Sequence, residues 1–342
     1  MEGGGAGAAV WCSGVGRRGS SAGQASKYEA GECAEPLVVG AWRARPLKAH
    51  QRRPSSPSLP IVIVPGFLAG CPWYFLQLSG LAREGHEVWV FDALGSGLSS
   101  RPKRYFSMGA LESHEGAEER LVDDLRRCLD AAGLRRFILS GHSLGGWIAV
   151  NFALRHPERV AHLAPMASAG VPPAPEQLGE LLGTWKGRFF DHIWKTGSPG
   201  AFMRFFGPMG PSMAGAYVRR RLLARNISDD ERQALRDYMF QSTAAPSSFD
   251  EVVPSVFALG AWAHRPYGPR LGALQCGITW IYGDRDWMRH EHASFALENT
   301  VPPEFRVASA VRVLKGAAHN VQVDAWQEVN VILGELARKH TV

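Results

Sequence analysis

A serine set between small residues is the feature of this chain that could most directly do chemistry. Ser143 stands at the centre of G-H-S-L-G, residues 141–145, which follows the apolar run 137–139 and precedes an apolar, helix-compatible segment over 146–154. A serine on a tight strand-to-helix turn is held in strained φ/ψ with its hydroxyl clear of the sheet, and only small neighbours fit beside it. The pattern predicts a nucleophile that forms covalent acyl intermediates. The alternative is a serine that only caps a helix N-terminus.

Such a nucleophile needs a general base, and the base needs an orienting acid. His319 follows the predicted strand 308–314 through a short loop, and it is the candidate base. The predicted strand 278–282 leads into a loop that carries two candidate acids, Asp284 and Asp286. We favour Asp286, because its loop position allows a turn back toward His319. Asp284 is more typical of a turn residue that bonds its own backbone.

The negative charge that develops on an attacked carbonyl oxygen needs two hydrogen-bond donors. One predicted donor is the backbone N–H of Leu144, directly after the nucleophile. The other is the backbone N–H of Phe67, in the loop after the first buried strand, where Gly66 permits a close approach. The sequence His-Glu-His at 290–292 lacks the spacing of a helical metal site, so we predict no metal and no cofactor.

The elements that position these residues alternate between apolar strands and amphipathic helices, which is typical of an α/β fold with a mostly parallel central sheet. We predict a disordered leader over 1–35, a core in two parts over 36–170 and 271–342, and a helical cap inserted over 171–270. Predicted strands lie at 36–44, 61–64, 87–91, 137–140, 160–166, 278–282 and 308–314. Predicted helices lie at 73–84, 115–132, 178–194, 213–224, 228–243 and 325–338.

Composition narrows the class of protein. The 342 residues are 45% hydrophobic and 20% charged, and no apolar run approaches the ~18–20 residues that span a bilayer. The five cysteines are scattered and odd in number, which favours a reducing compartment over a disulfide framework. We therefore expect a cytoplasmic protein. The leader gives weak support to organelle targeting and lacks the apolar core of a secretory signal.

The predicted cap combines aromatic and basic residues. Over 181–225 the sequence has eight Lys or Arg and only one acidic residue, Asp191. This pattern suits peripheral contact with an anionic membrane or lipid-droplet surface. The alternative is that the aromatics form the core of the cap and the cations are merely solvated. Nucleic-acid binding is not expected, since no binding-module motif accompanies the charge. The residues concerned are Trp185, Phe189, Phe190, Trp194, Phe202, Phe205 and Phe206, with Lys186, Arg188, Lys195 and Arg204.

With the nucleophile turn over residues 141–145, called the elbow below, and with the acid and base assigned, the chain resembles the α/β-hydrolase superfamily. More narrowly, it resembles the branch of lipid-droplet lipase coactivators, lysophospholipases and lysophosphatidic acid acyltransferase-like proteins. The resemblance runs from about 60 to 338 and rests on the segments 92–102, 141–146, 184–187, 206–211, 257–262 and 282–288.

The resemblance implies an α/β-hydrolase fold with a Ser143, Asp286, His319 triad that acts on a lysophospholipid or glycerolipid ester. It also implies an acyltransferase motif, H-x4-D, which His319 and Asp324 match. The alternative for Asp324 is a helix N-cap, with Gln327 three residues on.

Two departures from the family bear on activity. Pro65 replaces the histidine of the usual His-Gly pair, which affects the bracing of the loop. Animal coactivators of this branch carry asparagine at the nucleophile, whereas this chain keeps Ser143, which favours a carboxylic ester hydrolase or acyltransferase over a non-catalytic coactivator or droplet interaction protein. A small-ester esterase and a peptidase are further alternatives.

Overall fold

The computed structural model describes residues 39–45, 58–102, 113–196, 207–221, 227–245 and 249–340. The predicted leader over 1–35 and the cap residues Phe202, Arg204, Phe205 and Phe206 lie outside these ranges. Nine strands occur within them. They are β1 (Ala41–Ala44), β2 (Ile61–Val64), β3 (Val88–Phe91), β4 (Phe137–His142), β5 (Val160–Met166), β6 (Phe257–Ala258), β7 (Trp262–Ala263), β8 (Gly277–Gly283) and β9 (Ala310–Leu314).

Seven of these strands form one sheet in the order β1-β3-β2-β4-β5-β8-β9. Six of them run parallel to one another, and β1 alone is antiparallel, at the edge beside β3. The mostly parallel sheet of the predicted α/β-hydrolase fold is thereby confirmed. Strand β2 reads Ile-Val-Ile-Val with every residue buried, as a strand covered by helices on both faces requires.

The helices of the described residues fall on both faces of this sheet and beyond its carboxyl edge. They are α1 (Phe75–Arg83), α2 (His114–Ala131), α3 (Leu144–Arg155), α4 (Glu176–Gly183), α5 (Trp185–Thr196), α6 (Gly210–Arg221), α7 (Asp229–Ala244), α8 (Val253–Val256), α9 (His290–Asn299), α10 (Pro303–Arg306), α11 (Val321–Asp324) and α12 (Trp326–Lys339).

Alternate residues of the strands feed two separate cores, because successive side chains of a strand point to opposite faces. Ile61 and Ile63 pack with α1 and α12 on one face. Val62 and Val64 pack with α2, α3 and Trp147 on the other. The sheet is therefore held between two apolar layers, and its strand ends are fixed in position.

The chain between β5 and β8 contains α4 to α8 and the β6–β7 hairpin. The helix predicted over 178–194 is two helices, because the chain turns at Thr184, whose hydroxyl accepts a hydrogen bond from the Gly187 N–H at 3.0 Å. The division of the chain into a core and a cap over 171–270 stays a prediction. Within the described ranges, no helix has both the length and the apolar character needed to cross a membrane.

Candidate active site

The nucleophile position has the strained backbone that the sequence predicts. Ser143 links β4 directly to α3 with φ 54° and ψ −115°, in the region that favours glycine. Its flanking glycines are obligatory for steric reasons. A Cβ at Gly141 would meet the Gly145 carbonyl oxygen, and a Cβ at Gly145 would meet the Val64 carbonyl oxygen of the adjacent strand β2. The elbow therefore packs backbone against backbone.

The predicted base and acid are hydrogen-bonded to each other. His319 Nδ1 lies 2.9 Å from Asp286 Oδ1, with the carboxylate side chain fully buried and the imidazole 12% exposed. The same carboxylate oxygen accepts the Met288 N–H at 2.9 Å, which fixes its orientation. A carboxylate on Nδ1 holds the neutral ring in the tautomer whose Nε2 is unprotonated, as a general base requires.

The other candidate acid, Asp284, lies elsewhere. It is exposed, and its Oδ1 accepts the Gly316 N–H at 2.8 Å, so it braces the loop that leads from β9 to His319. Asp324 does not cap the last helix, since Ala325 occupies that position and makes no side-chain cap. Instead, Asp324 Oδ2 accepts the N–H of Ala318 at 3.1 Å, directly before His319.

His142, which the sequence reasoning left unassigned, connects the nucleophile loop to the base loop. Its Nε2–H donates to the backbone carbonyl of His319 at 2.8 Å, and the two rings lie 4.8 Å apart between centroids. Burial, with the nearby His319, lowers the pKa of His142 to about 3, so it is neutral at physiological pH. Its only sequence signal is its place beside the nucleophile.

The loop that carries Phe67, one of the two predicted oxyanion donors, lies against the elbow, and the other donor, Leu144, directly follows Ser143. The loop after β2 turns through Leu68, with φ 61°, and closes with a hydrogen bond from the Ala69 N–H to the Gly66 carbonyl. A Cβ at Gly66 would lie 3.3 Å from Ser143 Cβ, so this loop runs against the nucleophile. Among the described residues, the N–H groups of Phe67 and Leu144 donate to no protein acceptor.

A cavity of about 340 Å³ joins these groups. Ser143, Leu144, Phe67 and His319 all line it, together with apolar residues of several elements. In the described part of the chain, no hydrogen bond joins Ser143 Oγ to the His319 ring, although the two share the wall of one cavity. The volume and apolar character suit a small-molecule site. The remaining lining residues are Leu68, Ala69, Trp73, His142, Ala169, Trp194, Val253, Phe257, Gly260, Ala261, Trp287 and Asn320.

Trp287 is a second residue to which sequence reasoning gave no role at the site. Its ring centroid lies 5.2 Å from that of His319, and its side chain is half exposed at the cavity. It therefore shields one face of the imidazole. Its adjacency to Asp286 in the chain was the available signal.

Comparisons with known proteins identify the family of this chain. Residues 60–325 match the family defined by the alpha/beta hydrolase fold. The 1-acylglycerol-3-phosphate O-acyltransferase of Arabidopsis thaliana is 32% identical over 273 residues, which are 77% of this chain and 63% of that protein. The human (lyso)-N-acylphosphatidylethanolamine lipase is 27% identical over 283 residues, 81% of this chain and 78% of the lipase. This chain thus spans less than two thirds of the length of the plant relatives.

Solved structures share the fold at low sequence identity. An epoxide hydrolase from Vigna radiata superposes with a TM-score of 0.64 at 16% identity, covering 89% of this chain and 95% of the other. A membrane phospholipase A superposes with a TM-score of 0.61 at 19% identity, covering 89% and 83%. The sheet order, the elbow and the match over most of its length together establish that the chain belongs to the α/β-hydrolase family.

Proposed function

We propose that this chain is a serine-dependent ester hydrolase or acyltransferase that acts on glycerolipids or lysophospholipids. The observation that carries the proposal is the 2.9 Å contact between His319 Nδ1 and Asp286 Oδ1, beside an apolar cavity that Ser143 also lines. The names of two relatives, an acylglycerol-phosphate acyltransferase and a lysolipid lipase, support the proposed substrate class.

The proposed reaction begins with proton transfer from Ser143 Oγ to His319 Nε2. The oxygen attacks the ester carbonyl, and the backbone N–H groups of Phe67 and Leu144 stabilise the oxyanion that forms. Buried Asp286 stabilises the imidazolium through Nδ1–H. Collapse of the tetrahedral intermediate breaks the ester bond, His319 protonates the departing alcohol, and the acyl group stays on Ser143. In this scheme, substrate binding brings the serine hydroxyl into hydrogen-bond distance of Nε2, as catalytic contacts tighten in the enzyme–substrate complex.

The acceptor of the acyl group distinguishes the two outcomes. Attack by water, deprotonated by His319, releases a fatty acid, whereas attack by a lysolipid hydroxyl transfers the acyl group and forms a new ester. Asp324 is a positioning residue in this scheme, because its carboxylate holds the backbone N–H of Ala318 beside His319. The H-x4-D spacing then has a structural reason that applies to either acceptor.

Labelling with a fluorophosphonate tests the nucleophile. We expect purified full chain to be labelled, and the Ser143→Ala and His319→Gln variants to lose the label. Folded wild-type protein that takes up no label would contradict the proposal and favour a non-catalytic coactivator.

Product analysis tests the acceptor and the substrate class. Labelled lysophospholipids and glycerolipids are supplied as acyl donors, with and without lysophosphatidic acid. New phosphatidic acid identifies transfer, and free fatty acid alone identifies hydrolysis. Turnover of only short-chain esters or peptides would overturn the lipid assignment while leaving the serine mechanism intact.

The cap over 171–270 is proposed to supply the apolar wall above the nucleophile. Five cavity residues, Trp194, Val253, Phe257, Gly260 and Ala261, come from this range. The Trp194 indole N–H donates to the Phe257 carbonyl at 2.9 Å. An acyl chain leaving water for this wall gains the hydrophobic contribution of each buried methylene, about 0.8 kcal/mol. Peripheral contact with a membrane or lipid droplet would bring such substrates within reach.

A further inference from the structure

The helix α5 presents most of its apolar side chains to solvent, and Trp194 alone of its aromatic residues lies on the inward side. Trp185, Phe189 and Phe190 are 75%, 57% and 56% exposed. On the inward side lie Gly187, which is buried, and Asp191, which is partly buried. A helix of a globular protein normally has the opposite arrangement, with its apolar stripe facing the core.

Close packing between α4 and the inward side of α5 prevents the helix from rotating its aromatic residues toward the protein. A Cβ at Gly187 would meet the carbonyl oxygen of Leu181 in α4, so the two helices touch backbone to backbone. Arg188 donates to the Gly183 carbonyl at 3.1 Å, which further fixes the corner between α4 and α5. The aromatic residues are therefore exposed because the contact with α4 fixes the orientation of α5. Helix α4 contributes a further exposed apolar residue, Leu181, which is 49% exposed.

Positive charge accompanies the apolar residues. Lys186 Nζ lies 5.6 Å from the centroid of the Trp185 ring. The single acidic residue of the helix, Asp191, is paired with Lys195 at 2.7 Å. Among the described residues, Lys186 and Arg188 form no ion pair, so the exposed face carries net positive charge. Exposed aromatics beside lysine and arginine are the composition of helices that lie in the interface of an anionic bilayer.

The same helix reaches the candidate site. Trp194, on the inward side of α5, lines the cavity together with Ser143. We propose that the outward face of α5, formed by Trp185, Phe189, Phe190 and Ile193 and flanked by Lys186 and Arg188, docks on the surface of an anionic phospholipid bilayer. Docking there would hold the cavity next to its substrates. This docking proposal rests on the proposed function, because docking brings the cavity to its substrates only if those substrates are lipids.

Vesicle flotation of the full chain tests the docking face. Vesicles of phosphatidylcholine are compared with vesicles that also contain phosphatidylserine. We expect the wild type to float with the anionic vesicles. The double variant Trp185→Ser, Phe189→Ser should bind more weakly, on the order of tenfold for each aromatic side chain withdrawn from the interface. The double variant Lys186→Gln, Arg188→Gln should lose about fivefold per cation, and only on anionic vesicles.

Phe295→Ser supplies the matched control, because Phe295 is 67% exposed on a different helix, α9. It should bind as the wild type does. Equal binding of the wild type and the aromatic double variant would overturn the docking face, and so would failure of the wild type to bind anionic vesicles. A concentration-dependent dimer that disappears in the aromatic double variant would assign the face to a second copy of the chain and would also overturn the proposal.

Two further measurements separate folding and catalysis from docking. Circular dichroism melting curves must match among the variants, so that loss of binding reports the surface and not unfolding. Fluorophosphonate labelling of Ser143 without vesicles reports the catalytic proposal separately. Vesicle binding without labelling would contradict the proposed function and leave the docking face standing. Labelling without vesicle binding would overturn the docking face and leave the catalytic proposal standing.

Discussion

Because the backbone at Ser143 is strained, we predict that replacing Ser143 with glycine stabilises the protein. Replacement with alanine, which keeps Cβ, should not relieve the strain. Ser143 has φ 54° and ψ −115°, a conformation that costs a non-glycine residue about 1–3 kcal/mol. Ser143→Gly removes that cost, whereas Ser143→Ala retains it. The backbone hydrogen bonds of the position, from its N–H to the Met166 carbonyl and from the N–H groups of Ala169 and Trp147 to its carbonyl, survive in both variants.

The expected gain follows from two opposing effects. Glycine has greater freedom in the unfolded chain, which lowers stability by about 0.4–1 kcal/mol. The net free energy of unfolding of Ser143→Gly should therefore exceed that of Ser143→Ala by about 0.5–2 kcal/mol. For a chain of this size this raises the melting temperature by roughly 1–4 °C. Denaturant titration of both variants gives the difference directly.

Ser294 supplies the matched control because it lies inside α9, an ordinary helix. There the order should reverse, with Ser294→Ala more stable than Ser294→Gly by about 1 kcal/mol. If Ser143→Gly were no more stable than Ser143→Ala, while Ser294 behaved as expected, the elbow would store no strain and the reasoning would be refuted. Both Ser143 variants should lose fluorophosphonate labelling.

Three further variants probe the base, a buried histidine and a buried carboxylate. Asp286→Asn should slow labelling on the order of 10³–10⁴-fold, because the wrong His319 tautomer is favoured. Burial lowers the pKa of His142 to about 3. In the unfolded chain His142 binds a proton below about pH 6.5, whereas in the folded chain it stays neutral down to about pH 3. The free energy of unfolding therefore decreases as the pH is lowered from about 6.5 to about 3, by up to ~1.4 kcal/mol per pH unit. His142→Gln should remove that share of the acid slope. Glu118 is fully buried between Arg155 and Arg270, so Glu118→Gln should lower the free energy of unfolding by about 3 kcal/mol.

Each of these three variants has a control variant or protein against which it is measured. Asp284→Asn should leave the labelling rate within about twofold, since Asp284 bonds the Gly316 N–H and not His319; an equal loss in both variants would contradict the assignment of Asp286. Parallel acid slopes for wild type and His142→Gln would contradict a neutral buried His142. Glu119 also pairs with Arg155 but is 41% exposed, so Glu119→Gln should cost less than about 1 kcal/mol.

Sequence patterns predicted the elements near the candidate site well, because the site lies where strands end. A buried β-branched run such as β2 admits few structures other than a central strand. The small residues around Ser143 admit few turns other than the elbow. The chain order of serine, acid and base then favoured Asp286 and His319, each on a loop that follows a predicted strand, and the structure brings these two side chains within hydrogen-bond distance.

Other contacts could not be predicted, because they depend on the path of loops. The spacing around Asp324 fits a helix cap, yet the short helix α11 places its carboxylate on the Ala318 N–H. Periodicity identified the apolar residues of α5 without indicating what covers them. Which face of α5 meets the protein is decided by Gly187, whose missing side chain permits the contact with α4.

The hydrogen bond between the His142 ring and the His319 carbonyl joins residues 177 positions apart. During synthesis, the elbow emerges long before the base does. A contact between residues so far apart forms only when the chain between them closes into a loop, which costs conformational entropy. The two halves of the site therefore come together late in folding. A partly made chain therefore carries the serine without its base. Under the proposed mechanism, activity would then report completion of the fold, and a growing chain could not attack an ester before His319 is in place.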